Sequence, residues 1–301
     1  MSEKYREKGF NRMLTKLFNM FTELFSRHIV VNAFIYYNKG KILPRNWGDD
    51  INYHFLKKLF RRNIVCYDYS SISHRTDKNN YLMIGSTLTL LCSRKSIVWG
   101  AGVIDPTAEL PEKPRRVLAV RGPLTRKYLL ERGIQCPEVY GDPALLVPYV
   151  YSPKIKKRYK LGIIPHYDDY DSPSLDKFRD NKEIKFIKME GYDKWTDVVD
   201  DILACERIVS SSLHGLIIAE AFGIPNLWIE VKGELLGGHF KFHDFFCSIK
   251  RDRESPYVIN DATTYSSLSE AADLWQRGEI DLKPLIKAAP FKIYIRDYEN
   301  N

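Results

Sequence analysis

The amino-acid sequence predicts an α/β protein built as two doubly wound lobes with a cleft between them. Three observations carry that expectation. Short apolar runs recur along the chain, each followed by small or turn residues. Helical patterns alternate with those runs. A basic, proline-punctuated stretch, PYVYSPKIKKRYK at 148–160, divides the alternation into two halves. Buried parallel strands read as such runs, and ligands gather beyond their carboxyl ends. Because strand, turn and helix follow one another throughout, helices layered on parallel sheets are the economical architecture.

Composition bounds the rest. A chain of 301 residues, 44% hydrophobic and 13% aromatic, can bury two ordinary cores of about 100–150 residues each. The net charge of +8 favours an anionic partner. No RNP pattern, zinc-finger spacing or Lys/Arg block is present, so nucleic acid is not expected as a partner. The cysteines, Cys66, Cys92, Cys136, Cys205 and Cys247, are odd in number, scattered and never in CxxC spacing. That argues against a disulfide framework and against a zinc site, and for the reducing cytoplasm. No apolar run is long enough to span a bilayer, and the start, MSEKYREK, lacks the apolar core of a signal peptide.

In chain order, Phe10, Met13, Leu14, Leu17, Phe18, Phe21, Leu24 and Phe25 fall at helical spacing, with Lys4, Arg6, Lys8, Arg12 and Lys16 on or before the opposite face. Such a helix is expected to pack its apolar stripe on its own domain; a basic amphipathic helix can instead lie on an anionic membrane surface, here the inner face of the plasma membrane. His28–Tyr37 reads as a first strand. After the loop containing Asn46-Trp47-Gly48, Asp49 or Asp50 is expected to cap a helix with Ile51, Phe55, Leu56, Leu59 and Phe60 on its apolar face. Both aspartates can equally be ligands. Further strands are expected at Tyr81–Ile84, Ile97–Trp99, Val117–Val120 and Val139–Tyr140. They end in Gly85-Ser86-Thr87, Gly100-Ala101-Gly102, Arg121-Gly122-Pro123 and Gly141-Asp142-Pro143. In the second half, Leu161–Ile164 ends at His166, and Ile184–Ile187 precedes a helix at 195–204. The Gly237-Gly238 pair before an aromatic helix resembles a mobile loop that could close over a site, and equally an ordinary turn. The segments are then 1–27 (amphipathic helix), 28–150 and 151–270 (the two lobes), and 271–301 (C-terminal helical segment).

The organising stretch is ILACERIVSSSLHGLIIAEAFGIPNLWI, 202–229. It reads as a strand at 207–209, a turn holding Ser210, Ser211, Ser212 and His214, a helix from Gly215 to Phe222, and a second strand at 226–229. A turn of this kind exposes backbone N–H groups at a helix N-terminus, where anions bind. A serine run before a helix can also be no more than a set of caps.

Together with that stretch, NWGDDIN (46–52), WGAGVID (99–105), VRGPLT (120–125), YGDPALL (140–146), IPHYDD (164–169) and SSSLHGLIIAEAFGIP (210–225) resemble, in this order, the polysaccharide pyruvyl transferase family. The resemblance implies a Rossmann-like, glycosyltransferase-B-type fold, with the first lobe on the acceptor side and the second on the donor side. It implies transfer of the pyruvyl group of phosphoenolpyruvate to two hydroxyls of a sugar, forming a ketal and releasing phosphate, with no cofactor. The acceptor would be a polysaccharide unit, free or polyprenyl-diphosphate-linked. Such chemistry needs donors for phosphate and carboxylate, an acid with a pKa near neutrality for C3, and a base for the hydroxyl. Arg121 is the expected anion binder and His214 the expected acid or phosphate partner, with His166 as the second histidine. Asp49 or Asp50 is the base or acceptor ligand, and Asp142 is expected to orient Arg121 or its turn. Ser211, Ser212, Leu213 and Gly215 line the phosphate end, while Asn46, Gly48, Gly100 and Gly102 complete the binding set.

One departure from the family's pattern stands out. Several relatives carry a basic residue where this chain has Ser212, so a charged donor of about 1.5–3 kcal/mol is either missing or supplied from elsewhere, for example by Arg207, Lys232 or Lys241. Two rival readings follow. One is a nucleotide-sugar glycosyltransferase of the same fold, with Glu220 as ribose contact; the other is a catalytically silent anion-binding subunit of a glycan assembly complex.

Overall fold

The computed structural model describes residues 8–233, 237–251 and 255–296. Lys4 and Arg6 of the expected basic face lie outside them. The first half opens with helix α1, Gly9–Phe25, strand β1, His28–Val31, and a small ribbon, β2 Tyr37–Asn38 and β3 Lys41–Ile42. It continues through α2 Trp47–Phe60, β4 Asn63–Cys66, α3 Ile72–Arg75, β5 Asn80–Leu82 and α4 Leu88–Leu91. Then come β6 Ser96–Trp99, β7 Arg116–Ala119, α5 Pro123–Glu131 and α6 Val147–Val150. The second half holds β8 Tyr159–Ile164, β9 Ile184–Phe186, α7 Trp195–Leu203, β10 Cys205–Ser210, α8 Leu213–Ala221 and β11 Asn226–Glu230. It closes with α9 Phe240–Ser248, β12 Tyr257–Val258, α10 Tyr265–Asp273 and α11 Lys283–Lys287.

Two five-stranded sheets result, ordered β4-β1-β5-β6-β7 and β12-β11-β10-β8-β9. Every pairing in both is parallel. Numbered by their own strands in chain order, both sheets read 2-1-3-4-5, the doubly wound order in which the winding reverses beside the first strand. The reversals fall between β1 and β5, and between β8 and β10. Ligands of such sheets bind outside the strand ends at that point.

Some sequence expectations need correction. The run His28–Tyr37 is not one strand: pairing stops after Val31, and the chain tightens so that Ile35 N–H donates to the Ala33 carbonyl at 2.8 Å. Val139–Tyr140 contributes one bridge, Val120 to Tyr140, and no strand. The cap of α2 is Asn46, whose side chain accepts from Gly48 N–H; Asp49 and Asp50 sit in the first turn. The expected aromatic helix after Gly237-Gly238 is present, and residues 234–236 of the expected loop lie outside the described residues. Helix α9 buries Phe242, Asp244, Phe245 and Phe246, and Gly237 seats so close to the Ile104 carbonyl that a methyl there would overlap it.

The largest correction concerns α1. Its buried residues are Thr15, Asn19 and Glu23, while all eight large apolar residues of its stripe are 41–79% exposed. The polar face is the one with partners. Glu23 accepts from Ser70 Oγ at 2.6 Å and Ser73 Oγ at 3.1 Å, and Asn19 donates to the Tyr69 carbonyl. Arg12 lies over the Tyr69 ring and pairs with Asp68.

The two halves share their packing. One hydrophobic cluster runs from Ile29, Trp47 and Trp99 to Ile164, Trp195, Leu216, Phe245 and Leu285. Trp47 donates its indole N–H to the Trp195 carbonyl at 2.7 Å, and the C-terminal segment returns to the first sheet, where Trp99 donates to the Leu285 carbonyl.

Candidate active site

The carboxyl ends of both sheets open on a cleft of about 170 Å³. From the first half come Phe34 beyond β1, Gly85, Ser86 and Thr87 beyond β5, and Asn46 and Asp49 at the start of α2. From the second come His166 and Tyr167 beyond β8, Ser212, Leu213 and His214 beyond β10, and Lys241 on α9. The cleft therefore lies where the two winding reversals meet.

Local chemistry holds the α2 side. Asn46 donates its side-chain amide to Asp49 Oδ2 at 2.8 Å. One turn on, Asn52 exchanges two hydrogen bonds with the Ile84 backbone, at 3.0 and 3.1 Å, which ties α2 to the end of β5. Asp49 is thereby set against Gly85, whose φ of +101° is open to glycine and strained for other residues. Burial drives the Asp49 carboxyl up to about 7, against the opposing pull of Lys241 and the Asn46 bond. Asp50 is different. It does not line the cleft, and it accepts from Arg45 N–H, Asn46 N–H and the Tyr192 hydroxyl at 2.7 Å. Burial raises its carboxyl to about 7 as well, but those bonds make it a latch on the loop before α2.

Across the cleft, Ser210 and Ser211 are fixed inward. Ser210 Oγ donates to backbone carbonyls and receives Ser212 N–H; Ser211 Oγ accepts from His166 N–H and donates to Asp169. Ser212 and Leu213 face the cleft, whereas Gly215 packs on Ser210 Oγ, leaving no room for a side chain. His214 lies against the first turn of α2, so that a methyl at Gly48 would overlap its ring. Its Nε2 is 3.9 Å from Asp142 Oδ2, beyond hydrogen-bond reach, and neither atom has a hydrogen-bond partner among the described residues. Burial, then Arg121 and Lys241, push the His214 pKa down to about 3, and burial with Lys241 pushes His166 to about 4. Both rings are neutral near pH 7. The close carboxylates of Asp142 and Asp168 are therefore not ion-pair partners. The direction of the shift disfavours an imidazolium at His214, whereas Asp49, which lines the cleft, is raised toward neutrality.

The expected anion binder, Arg121, is also displaced from its expected role. Its side chain is fully buried, donating to Asp244 Oδ2 at 3.0 Å, Ser86 Oγ at 2.5 Å and the Val103 carbonyl at 2.8 Å. Thr125 donates twice more to Asp244. Its carboxylate partner is Asp244, not Asp142, which instead accepts from Ala144 N–H and has its pKa raised to about 6 by burial. Arg121 stands behind the wall that Ser86 presents. Gly102 packs on the guanidinium and Gly100, at φ +93°, on Pro143; neither lines the cleft.

Among the described residues, Lys241 is the cation that lines it. Burial and Arg121 lower its pKa to about 8, with Asp49 and Asp169 pulling the other way. Of the alternatives to a basic residue at 212, Arg207 is forked onto Asp273 and Lys232 donates to the Asp168 carbonyl. Glu220, the expected ribose contact, is buried under Arg251, Asn226, Trp275 and Gly278 N–H. It has no capacity left for a ligand. Sequence reasoning missed the roles of Asn52, Ser86 and Asp244. The available signal for Asp244 was a carboxylate inside the aromatic run FKFHDFFCS, a setting that needs a buried cation.

The family model for polysaccharide pyruvyl transferase matches residues 46–233, which hold every cleft element except Phe34 and Lys241. Among curated proteins, the chain is 26% identical over 219 residues to an uncharacterized protein of Acanthamoeba polyphaga mimivirus, covering 70% of this chain and 74% of that one. It is 29% identical over 205 residues to the succinoglycan biosynthesis protein ExoV of Rhizobium meliloti, covering 66% of this chain and 60% of ExoV. The chain belongs to the polysaccharide pyruvyl transferase family, and pyruvyl transfer to a polysaccharide is its class of reaction.

Proposed function

We propose, from that membership, that this enzyme moves the pyruvyl group of phosphoenolpyruvate onto two hydroxyls of one sugar, in a surface polysaccharide or its polyprenyl-diphosphate-linked precursor, in the cytoplasm and without a cofactor. One observation carries the reading: Asp49 from the first half and Lys241 from the second meet in one cleft, the acid near neutrality and the ammonium available to an anion. The same reading takes the two sheets as lobes of a glycosyltransferase-B-type fold, acceptor on 28–150 and donor on 151–270.

The roles follow from charge. Lys241, the hydroxyls of Ser86, Thr87 and Ser212, and the start of α8 receive the donor's phosphate and carboxylate, with the Arg121 charge one layer behind. Protonated Asp49 gives its proton to C3, and C2 becomes oxocarbenium-like. The Asp49 carboxylate then takes the proton of the first sugar hydroxyl as that oxygen bonds to C2. The C2–O bond to phosphate breaks with its electron pair on phosphate. The second hydroxyl closes the ketal, and its proton leaves as part of hydrogen phosphate. His214, neutral, supplies a hydrogen bond and not a proton, with Asp142 beside its Nε2.

Thermal melting tests this directly. Phosphoenolpyruvate at 100 times its dissociation constant stabilises the native state by about 2.7 kcal/mol. The expected result is a shift with phosphoenolpyruvate, none with nucleotide sugars, and loss of the shift in Lys241→Ala. Phosphate release should then require a saccharide diol. A shift with a nucleotide sugar alone would overturn the reading.

A further inference from the structure

Helix α1 turns the usual packing inside out. Four phenylalanines, three leucines and a methionine point to solvent from one 17-residue helix, and they are eight of the thirteen large apolar side chains exposed among the described residues. A contiguous apolar face of this kind marks a docking surface. The inversion is built, not incidental, because Glu23, Asn19 and Arg12 each have partners on the body of the protein at Ser70, Ser73, Tyr69 and Asp68.

Charge selects the occupant. The outward face itself carries no charged side chain; elsewhere on the helix Lys8 is exposed and Lys16 half-buried, Arg27 is exposed just beyond it, Arg12 is held by Asp68, and the helix's one carboxylate, Glu23, is buried against the body. An apolar face on a helix whose accessible charges, among the described residues, are cations suits the boundary between acyl chains and anionic headgroups. At about 1.5 Å per residue the helix is too short to cross a bilayer upright, and no described helix is long and apolar enough to span one. We propose that α1 is an in-plane membrane anchor, which seats its Phe/Leu face in the interface of an anionic bilayer while its polar face holds the enzyme body.

The position of α1 gives the anchor a direction. Tyr67 and Asp68, in the segment on which α1 docks, also line a groove of about 290 Å³ beyond β1 and β4. That groove shares Phe34 and Leu90 with the cleft. The groove beside the α1 docking segment and the cleft that holds Asp49, the acid of the proposed reaction, are therefore neighbours. Only in this last clause does the inference rest on the proposed reaction; docking itself can be read with no substrate present.

The test is sedimentation of the full chain with vesicles of phosphatidylcholine alone and of phosphatidylcholine with phosphatidylglycerol. The protein should pellet with the anionic vesicles and much less with the neutral ones. Lys8→Gln should weaken that partition about fivefold, one interfacial charge's worth. Phe18→Asp with Phe21→Asp should weaken it by about a hundredfold or more, with melting temperature and turnover of a soluble acceptor unchanged. Point substitutions are preferred to truncation, which would strip Glu23 from Ser70 and Ser73. A double variant that binds vesicles as the parent does would overturn the anchor. So would a parent protein that ignores both vesicles and forms a dimer which the double variant splits; that outcome would give the face to a second copy of the chain.

Discussion

At the scale of single residues, the cleft sets two groups against their ordinary ionisation. Asp49 is raised to about 7 and Lys241 lowered to about 8, so near pH 7 a neutral acid and an ammonium coexist a short way apart. Asp49→Asn should lower turnover by about 10²–10⁴-fold while phosphoenolpyruvate still shifts the melt; a variant with near-normal turnover would remove Asp49 from the chemistry. The pH dependence has a definite sign. The protonated acid is lost as pH rises through about 7 and the ammonium as it rises through about 8, so kcat/KM should fall on the alkaline side. A rate still rising between those values would assign the proton elsewhere. Stability obeys linkage with the same sign. A carboxyl raised in the folded state favours folding fully below its unfolded pKa, and that contribution is lost as pH rises to about 7. Asp49→Asn should therefore gain stability over the parent at pH 8 relative to pH 4, by about 2 kcal/mol or more. Chemical denaturation at both values checks it, and equal differences would show the carboxyl to be ordinary. Gain in stability with loss of turnover is the trade expected of a strained active-site group.

Elements carry these residues into place, and here the sequence was only partly legible. The strand ends were readable because buried parallel strands are apolar runs that must stop at small residues, and both winding halves follow from them. The start of α2 was readable as a functional turn, though its cap is Asn46 and only one of the two aspartates faces the cleft. Pairings between distant segments left no local trace. Arg121 and Asp244 are 123 residues apart, and a strand-end arginine looks the same whether it meets ligand or carboxylate. The stripe on α1 announced an apolar face but not which face meets the protein, because that was decided by Ser70 and Ser73, 47 and 50 residues from Glu23. Helix α9 joins the two problems, since it carries both Asp244 and Lys241. Removing the carboxylate in Asp244→Ala leaves a fully buried guanidinium unpaired and should cost about 3–5 kcal/mol. Donor affinity should fall with it, although Asp244 does not line the cleft. Gly48→Ala tests the opposite wall. The added methyl overlaps the His214 ring, and a displacement of about 1 Å costs on the order of 10² in turnover. Unchanged kinetics in that variant would separate His214 from the reaction.

At the scale of the whole molecule, two sheets with the same winding do not imply two independent folding units. The hydrophobic cluster that contains Ile29 and Phe60 of the first half also contains Ile208 and Leu216 of the second, and Leu285 is buried against it from the returning C-terminal segment. Trp47 and Trp99 both donate their indole N–H groups to carbonyls of the second half, at 2.7 and 2.9 Å. Opening one sheet would leave these buried groups unpaired and expose the other sheet's apolar face, so partial unfolding gains little entropy for a large loss of burial. The chain should therefore melt in a single calorimetric transition, with van't Hoff and calorimetric enthalpies equal within error. Leu285→Ala should lower its midpoint, at a cost of about 2–5 kcal/mol, without splitting it. Phosphoenolpyruvate should raise the same single midpoint, because the cleft is lined from both halves and a ligand there stabilises both. Two resolved transitions, only one of which responds to the donor, would mean that the shared core is not the unit of stability and that the donor site belongs to one half alone.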